Sequence, residues 1–373
     1  MDKHNYVRIG NIKGIPLNLD YSWFIVFILI TWILAGSYFP SQYKNWTLFS
    51  YWSIGALTSI LFFVSVLLHE LAHSVLAIHY KLKVKKITLF IFGGIAEISE
   101  EPKKPMQEFW IASAGPIASF IIAFLSYIVA KVFSGDQQFH AMFQYLFEIN
   151  FILAIFNLVP GFPLDGGRVF RAIIWASTKD YKKATKISAA TGKFFGFFFI
   201  LLGFFILMKG DVIDGIWIAF VGWFLETASV AQVQRQVISE LLKGHTVQDA
   251  MGKSFALLPD DTTIQEFIEN DLLVRHRRFF IVERDGNNIG FLTLHAIQNV
   301  PNDKWDQTTV SKIMTPLSKL KTLKSNDDLI SALKEMDNEG VNQLPVFEDN
   351  DIIGILSREN ILTYLSRMQK NSQ

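Results

Sequence analysis

The residues with the most chemistry in them are His69, Glu70 and His73, in the stretch LLHELAHSVL. Residues four apart on a helix lie on one face, so the two imidazoles can reach one metal ion. Glu70 flanks that face and is placed to take a proton from a water that the metal acidifies. The competing role for these residues is a polar patch joining two helices. Two histidines leave a catalytic zinc one protein ligand short. The candidate for the third is Asp165, in NLVPGFPLDGGR (157–168). Asn157 and Pro160 end one apolar helix, and Gly161 and Pro163 break the backbone. Asp165 then starts a new short helix, and taken by itself it is better suited to be an N-terminal cap; the helix break near the depth of His69 is what makes it a candidate ligand. Asn157 is a candidate donor to a developing oxyanion, or a helix-end amide that satisfies freed backbone groups.

These residues need elements to hold them, and the composition says which. Half of the 373 residues are apolar and only 18% are charged, below the quarter usual for soluble domains. The excess falls before about residue 230. Six stretches, 21–39, 51–79, 109–132, 139–160, 185–208 and 212–230, are long and apolar enough to cross a bilayer. A seventh, ITLFIFGGIAEI (87–98), is too short. It reads as two strands around a glycine turn or as a re-entrant loop, tolerable at membrane depth only against protein or a wet cavity. Charged groups inside spans are costly and default to function. From His69 to the span end at His79 is about 15 Å of helix, so the site is expected within the hydrocarbon layer, nearer the cytoplasm.

Basic residues alternate across the loops. They gather before the first span, after the second (Lys81, Lys83, Lys85, Lys86, Lys103, Lys104) and after the fourth (Arg168, Arg171, Lys179, Lys182, Lys183, Lys186). That places both termini in the cytoplasm of a multi-pass cell-membrane protein. The first span is expected to act as an uncleaved insertion signal. A net charge of +1 gives no sign of a nucleic-acid partner, and without cysteine there is no disulfide framework.

The chain resembles the site-2 protease family of intramembrane zinc metalloproteases, in the branch with C-terminal CBS domains. The carrying pieces are HELAH (69–73), FGG (92–94), SAGP (113–116) and NLVPGFPLDGGR (157–168). The resemblance implies one zinc held by His69, His73 and Asp165, with Glu70 as catalytic base and Asn157 as a transition-state contact. It also implies a glycine loop, Phe92, Gly93, Gly94, Ile95 and Ala96, that holds substrate as an extended strand, and close helix packing at Gly115-Pro116. The expected fold is six transmembrane helices with a small re-entrant β or loop element, followed by an α/β tandem CBS domain. The expected activity is that of a metalloendopeptidase cutting single-span membrane proteins. A CBS-gated transporter or channel explains the spans and tail but gives no reason for H-E-x-x-H paired with a distant N-P-D-G.

The expected boundaries are 1–230 for the membrane domain, 231–245 for a linker helix, and 246–300 and 309–366 for two repeats. Each repeat reads strand, helix, strand, strand, helix, with hairpin turns at DGN and EDND. Tandem CBS pairs bind adenine nucleotides between repeats. The G-h-h-S/T-x-x-D/N element is present as Gly354, Ser357 and Asn360. In the first copy it reads Gly290, Thr293 and then Ala296, which lacks the ribose-binding group. One ATP, ADP or AMP site is therefore expected. A homodimer through the CBS domains is the alternative role for this module.

Overall fold

The computed structural model describes residues 6–371 except 92, 100, 254, 273–278 and 349–350. The described chain divides into Met1–Arg235 and Gln236–Gln373.

Among the described residues, six helices are long and apolar enough to cross a membrane: α1 (Tyr21–Gln42), α2 (Leu48–His79), α3 (Pro105–Val132), α4 (Gln137–Asn157), α6 (Tyr181–Met208) and α7 (Val212–Leu242). Between α4 and α6 lies the shorter α5 (Asp165–Thr178). Side-chain caps start most of them. Asp20, Thr47, Asp136 and Asp180 each accept from a backbone N–H of the first turn, which satisfies donors that have no partner inside the helix. The lipid-facing sides carry exposed large apolar residues such as Ile25, Ile121, Phe194 and Phe204. The contacts between helices are made by small and hydroxylated residues, with Thr58, Ser59, Ser119, Ala123, Thr185 and Ser188 buried. That distribution suits helices whose surroundings are as apolar as their side chains.

The short stretch around Gly93 is part of a larger sheet than the sequence indicated. Strands β1 (Tyr6–Ile12), β2 (Ile15–Asp20), β3 (Val84–Phe90) and β4 (Gly93–Ile98) lie in that order. β1–β2 and β3–β4 are antiparallel hairpins, joined by parallel pairing of β2 with β3. The N-terminal segment, mixed in composition, forms the first hairpin. Ile15 and Leu17 face a core with Ile87, Ala77 and Ile111. β4 is an edge strand, and among the described residues its outer rim has no sheet partner.

In the second unit, β5 (Ala256–Pro259) pairs in parallel with β6 (Phe279–Arg284), which turns back into β7 (Asn287–Thr293). Later in the chain, β8 (Leu323–Lys324) pairs in parallel with β9 (Gln343–Glu348), which turns back into β10 (Asp351–Ser357). Helices close both patterns: α8 (Leu294–Gln298) and α9 (Arg358–Asn371). The two patterns share an apolar cluster of Ile281, Phe291, Ile352 and Ile355. Thr246 and Asp249 form a capping box at the start of this unit. The Asp249 carboxyl lies below its usual range, chiefly because the Thr246 backbone N–H donates to it.

Candidate metal centre

His69 and His73 project from one face of α2, both about 5% exposed. Their Nε2 atoms are 3.2 Å apart, and Asp165 Oδ2 lies 3.1 Å from each. These three donors are the one cluster of its kind among the described residues. The far ring nitrogens are held. His73 Nδ1 is 2.6 Å from the Ile111 carbonyl oxygen, so it must donate there and leave Nε2 with a free lone pair. His69 Nδ1 is 2.9 Å from Ser119 Oγ. Outer partners of this kind set the tautomer and orientation of metal-binding imidazoles.

A tetrahedral zinc with bonds of about 2.0–2.1 Å separates neighbouring donors by about 3.3 Å, close to the spacing observed. The third helix makes room for this arrangement. A Cβ on Gly115 would overlap the Nε2 atoms of both imidazoles. The donor set, its spacing and the space cleared by Gly115 all fit zinc.

Asp165 reaches the histidines from the first position of α5. Leu164, not Asp165, occupies the cap position, and no side chain caps this helix. The carboxylate is committed to the imidazoles instead. Burial pushes its pKa up, but the two imidazoles outweigh that and hold it well below the usual carboxylate range. The loop before it is fixed from behind. Ser188 of α6 donates to the Gly167 carbonyl, and Ser229 of α7 to that of Phe162.

Glu70 lies between the imidazoles and the sheet. The Ala96 backbone N–H of β4 faces its carboxylate. A Cβ on Gly94 would collide with the Glu70 side chain, so the glycine pair lets the strand lie against the carboxylate. Gly93 has φ of +125°, a backbone that side chains rarely adopt. Ile95 points outward and is exposed. Phe92 lies outside the described residues. Asn157 is directed elsewhere, its Nδ2 donating to the Leu153 carbonyl one turn back at 3.0 Å.

Several residues in and around the centre had no clear mark in the sequence. Ser119 and Ile111 hold the imidazoles. Arg171, counted above among the basic loop residues, is 3% exposed and donates through Nε and Nη2 to Glu108, itself 0% exposed. Glu148 accepts from Tyr38 Oη at 3.1 Å and from Gln144 Nε2 at 2.8 Å, away from the metal donors. Lys193 pairs with Glu226 at 3.6 Å.

In the second unit, Asn360 Oδ1 accepts from the Ser357 N–H (3.1 Å) and Oγ (2.6 Å), a closed turn at the start of α9. A Cβ on Gly354 would stand 2.9 Å from Met251 Sδ and 3.0 Å from the Gly252 carbonyl oxygen, so close packing also favours a glycine there. Gly290 meets Met314 and Thr315 in the same way. The Thr293 side chain is outside the described part.

A His–His–Asp donor set, a glutamate beside it and six apolar helices define a multi-pass membrane metalloprotease. Comparison with known proteins agrees. The sequence pattern of peptidase family M50 matches residues 57–139 and 135–203, and that of the CBS domain matches 310–367. The chain is similar to sll0528 of Synechocystis sp. (31% identical, covering 97% of this chain and 96% of that one). It is also similar to MJ0392 of Methanocaldococcus jannaschii (30% identical, 98% of each). Both carry "zinc metalloprotease" in their names. Among solved structures it matches the site-2 protease from M. jannaschii at 32% identity, over 61% of this chain and 95% of that one, with a TM-score of 0.42. The chain belongs to peptidase family M50, the site-2 protease family of zinc metalloproteases, and carries a C-terminal CBS domain. That membership sets aside the transporter or channel reading.

Proposed function

We propose that this protein hydrolyses peptide bonds of single-span membrane proteins within the bilayer, with His69, His73 and Asp165 as the zinc ligands and Glu70 as the catalytic base. The observation that carries the reading is the meeting of three metal donors, one further carboxylate and the edge of a strand at one place. Zinc bound there supplies a Lewis acid that polarises the scissile carbonyl and acidifies water. Glu70 takes the proton from the attacking water and returns it to the leaving amine. A transmembrane helix hides its carbonyls in internal hydrogen bonds, so the substrate must unwind before it is cut. The outer rim of β4 can pair with the unwound segment, with Gly93, Gly94, Ile95 and Ala96 as the docking strand. Asn157 would donate to the oxyanion after exchanging or sharing its bond to Leu153. Both termini and the CBS unit face the cytoplasm in this reading, in keeping with the basic loops.

The test is cleavage of a single-span substrate in proteoliposomes, with Glu70→Gln and Asp165→Asn as controls. Undiminished cleavage by Glu70→Gln would reject this mechanism.

We further propose that one adenine nucleotide, ATP, ADP or AMP, binds the C-terminal unit at Gly354, Ser357, Asn360 and Thr293 and changes substrate access. The sequence element supports this. The Ser357–Asn360 bonds must open or be shared for it to happen. Calorimetry on the full chain that finds no affinity for any of the three nucleotides would leave the module as a dimerisation surface.

A further inference from the structure

We propose that the buried Glu108–Arg171 pair is a positioning device for the metal centre, setting where Asp165 stands relative to the two imidazoles. The inference rests on the zinc reading above. On α3, Glu108, Ile111, Gly115 and Ser119 follow one another at intervals of three, four and four residues, so they share a face. Ile111 and Ser119 hold His73 and His69. Gly115 admits both rings. Glu108, two turns before Gly115, is the position on this face that grips α5.

On α5, Arg171 lies six residues beyond Asp165, about 9 Å along the helix. Its guanidinium is fixed on every side. Nε donates to Glu108 Oε1 at 2.8 Å, and Nη2 donates to the same oxygen. Nη1 faces Thr185 Oγ1 of α6 at 3.4 Å. The rings of Phe162 and Tyr181 stack against it, 4.9 and 4.7 Å from the guanidinium carbon. Phe162 belongs to the loop that leads into Asp165. The helix delivering the carboxylate is thus tied to the helix that orients both imidazoles. A planar, forked donor fixes an angle as well as a distance.

The alternative is that the pair only holds the fold together. Removing Glu108 leaves Arg171 buried without its partner, and removing Arg171 leaves Glu108 buried with only Arg168, 4.0 Å away; both destabilise the fold, so single deletions do not decide. The deciding variant is the double substitution Glu108→Leu with Arg171→Met, which replaces the pair by apolar groups of similar size. Full-length protein in detergent is stripped of metal. The readouts are its melting temperature, its zinc affinity by competition with a chelator, and kcat and KM on a single-span substrate.

The expected result is a metal-free melting temperature near that of the wild type with zinc affinity 10–100-fold lower, the range for losing an outer partner of a metal site. With zinc in excess, kcat falls while KM stays. Arg171→Lys, which keeps the charge but not the fork, should fall between the double variant and the wild type. Wild-type zinc affinity and kcat in the double variant would overturn the proposal. If the double variant does not fold, Arg171→Lys decides by the same two readouts. A wild-type protein that binds no zinc would sink the zinc reading itself, and so the two failures can be told apart.

Discussion

Gly115→Ala adds one methyl group where the structure leaves least room for it. Ordinary Cβ contacts lie at 3.4–4 Å, and a Cβ at this position would overlap the Nε2 atoms of His69 and His73. Restoring a normal gap requires each nitrogen to retreat by about 1 Å. Metal sites tolerate donor shifts of about 0.2 Å, so two of the three donors leave bonding position together. The helices cannot simply part, because Ile111, Ala112 and Ser119 are fully buried on α3. Overpacking itself costs about 1–3 kcal/mol. Zinc affinity should fall by about 100-fold or more, the upper end of what outer-partner loss produces, or about 2.7 kcal/mol. The assay is zinc content after dialysis against graded chelators, with the metal-free melting temperature measured in parallel. Gly135→Ala is the control, since a Cβ there meets nothing within 4 Å. If Gly115→Ala binds zinc as tightly as wild type, the close approach of α3 does not constrain the centre and the geometric argument fails.

Glu70→Gln should retain zinc but lose cleavage by about 10²–10⁴-fold, read as zinc content against initial rate. Gly94→Ala should show the same split, since its methyl group displaces the Glu70 side chain and touches no ligand; loss of zinc there would contradict the assignment. Asp165→Asn removes the anionic donor and should release zinc at chelator concentrations that leave wild type loaded. The lowered Asp249 carboxyl stabilises the folded C-terminal unit above its unfolded value near 3.8. That contribution is lost as pH falls through the lower folded value. Asp249→Asn should therefore cost melting temperature at pH 6 and little at pH 2, and an equal loss at both would argue against the cap.

The meeting of His69, His73 and Asp165 was legible because a chemical need and a helical repeat coincide. Two imidazoles four residues apart share one face of a helix and can reach one ion there, and polar residues stand out in an apolar stretch. The β3–β4 hairpin was legible from its short apolar run and glycine turn. The N-terminal hairpin was not, because β1 and β2 carry a mixed pattern whose apolar face is defined only by β3 and α2. Arg171 looked like one more cytoplasmic positive charge. Nothing local distinguishes a snorkelling arginine from one whose partner, Glu108, stands 63 residues earlier. By itself Asp165 suits a helix cap better than a ligand, and only the placement of α5 against α2 brings its carboxylate to the imidazoles.

The sequence by itself determined the candidate donor types, the six apolar stretches and the repeat in the tail. Each of these is a matter of residue chemistry and short-range period, and both are local properties of a chain. Tertiary structure decided that Gly115 clears space for two rings, that Ser119 and the Ile111 carbonyl aim them, and that Asp165 meets the two imidazoles rather than capping its own helix. Those outcomes depend on which helix faces which, and helix faces are chosen by packing between segments far apart in the chain.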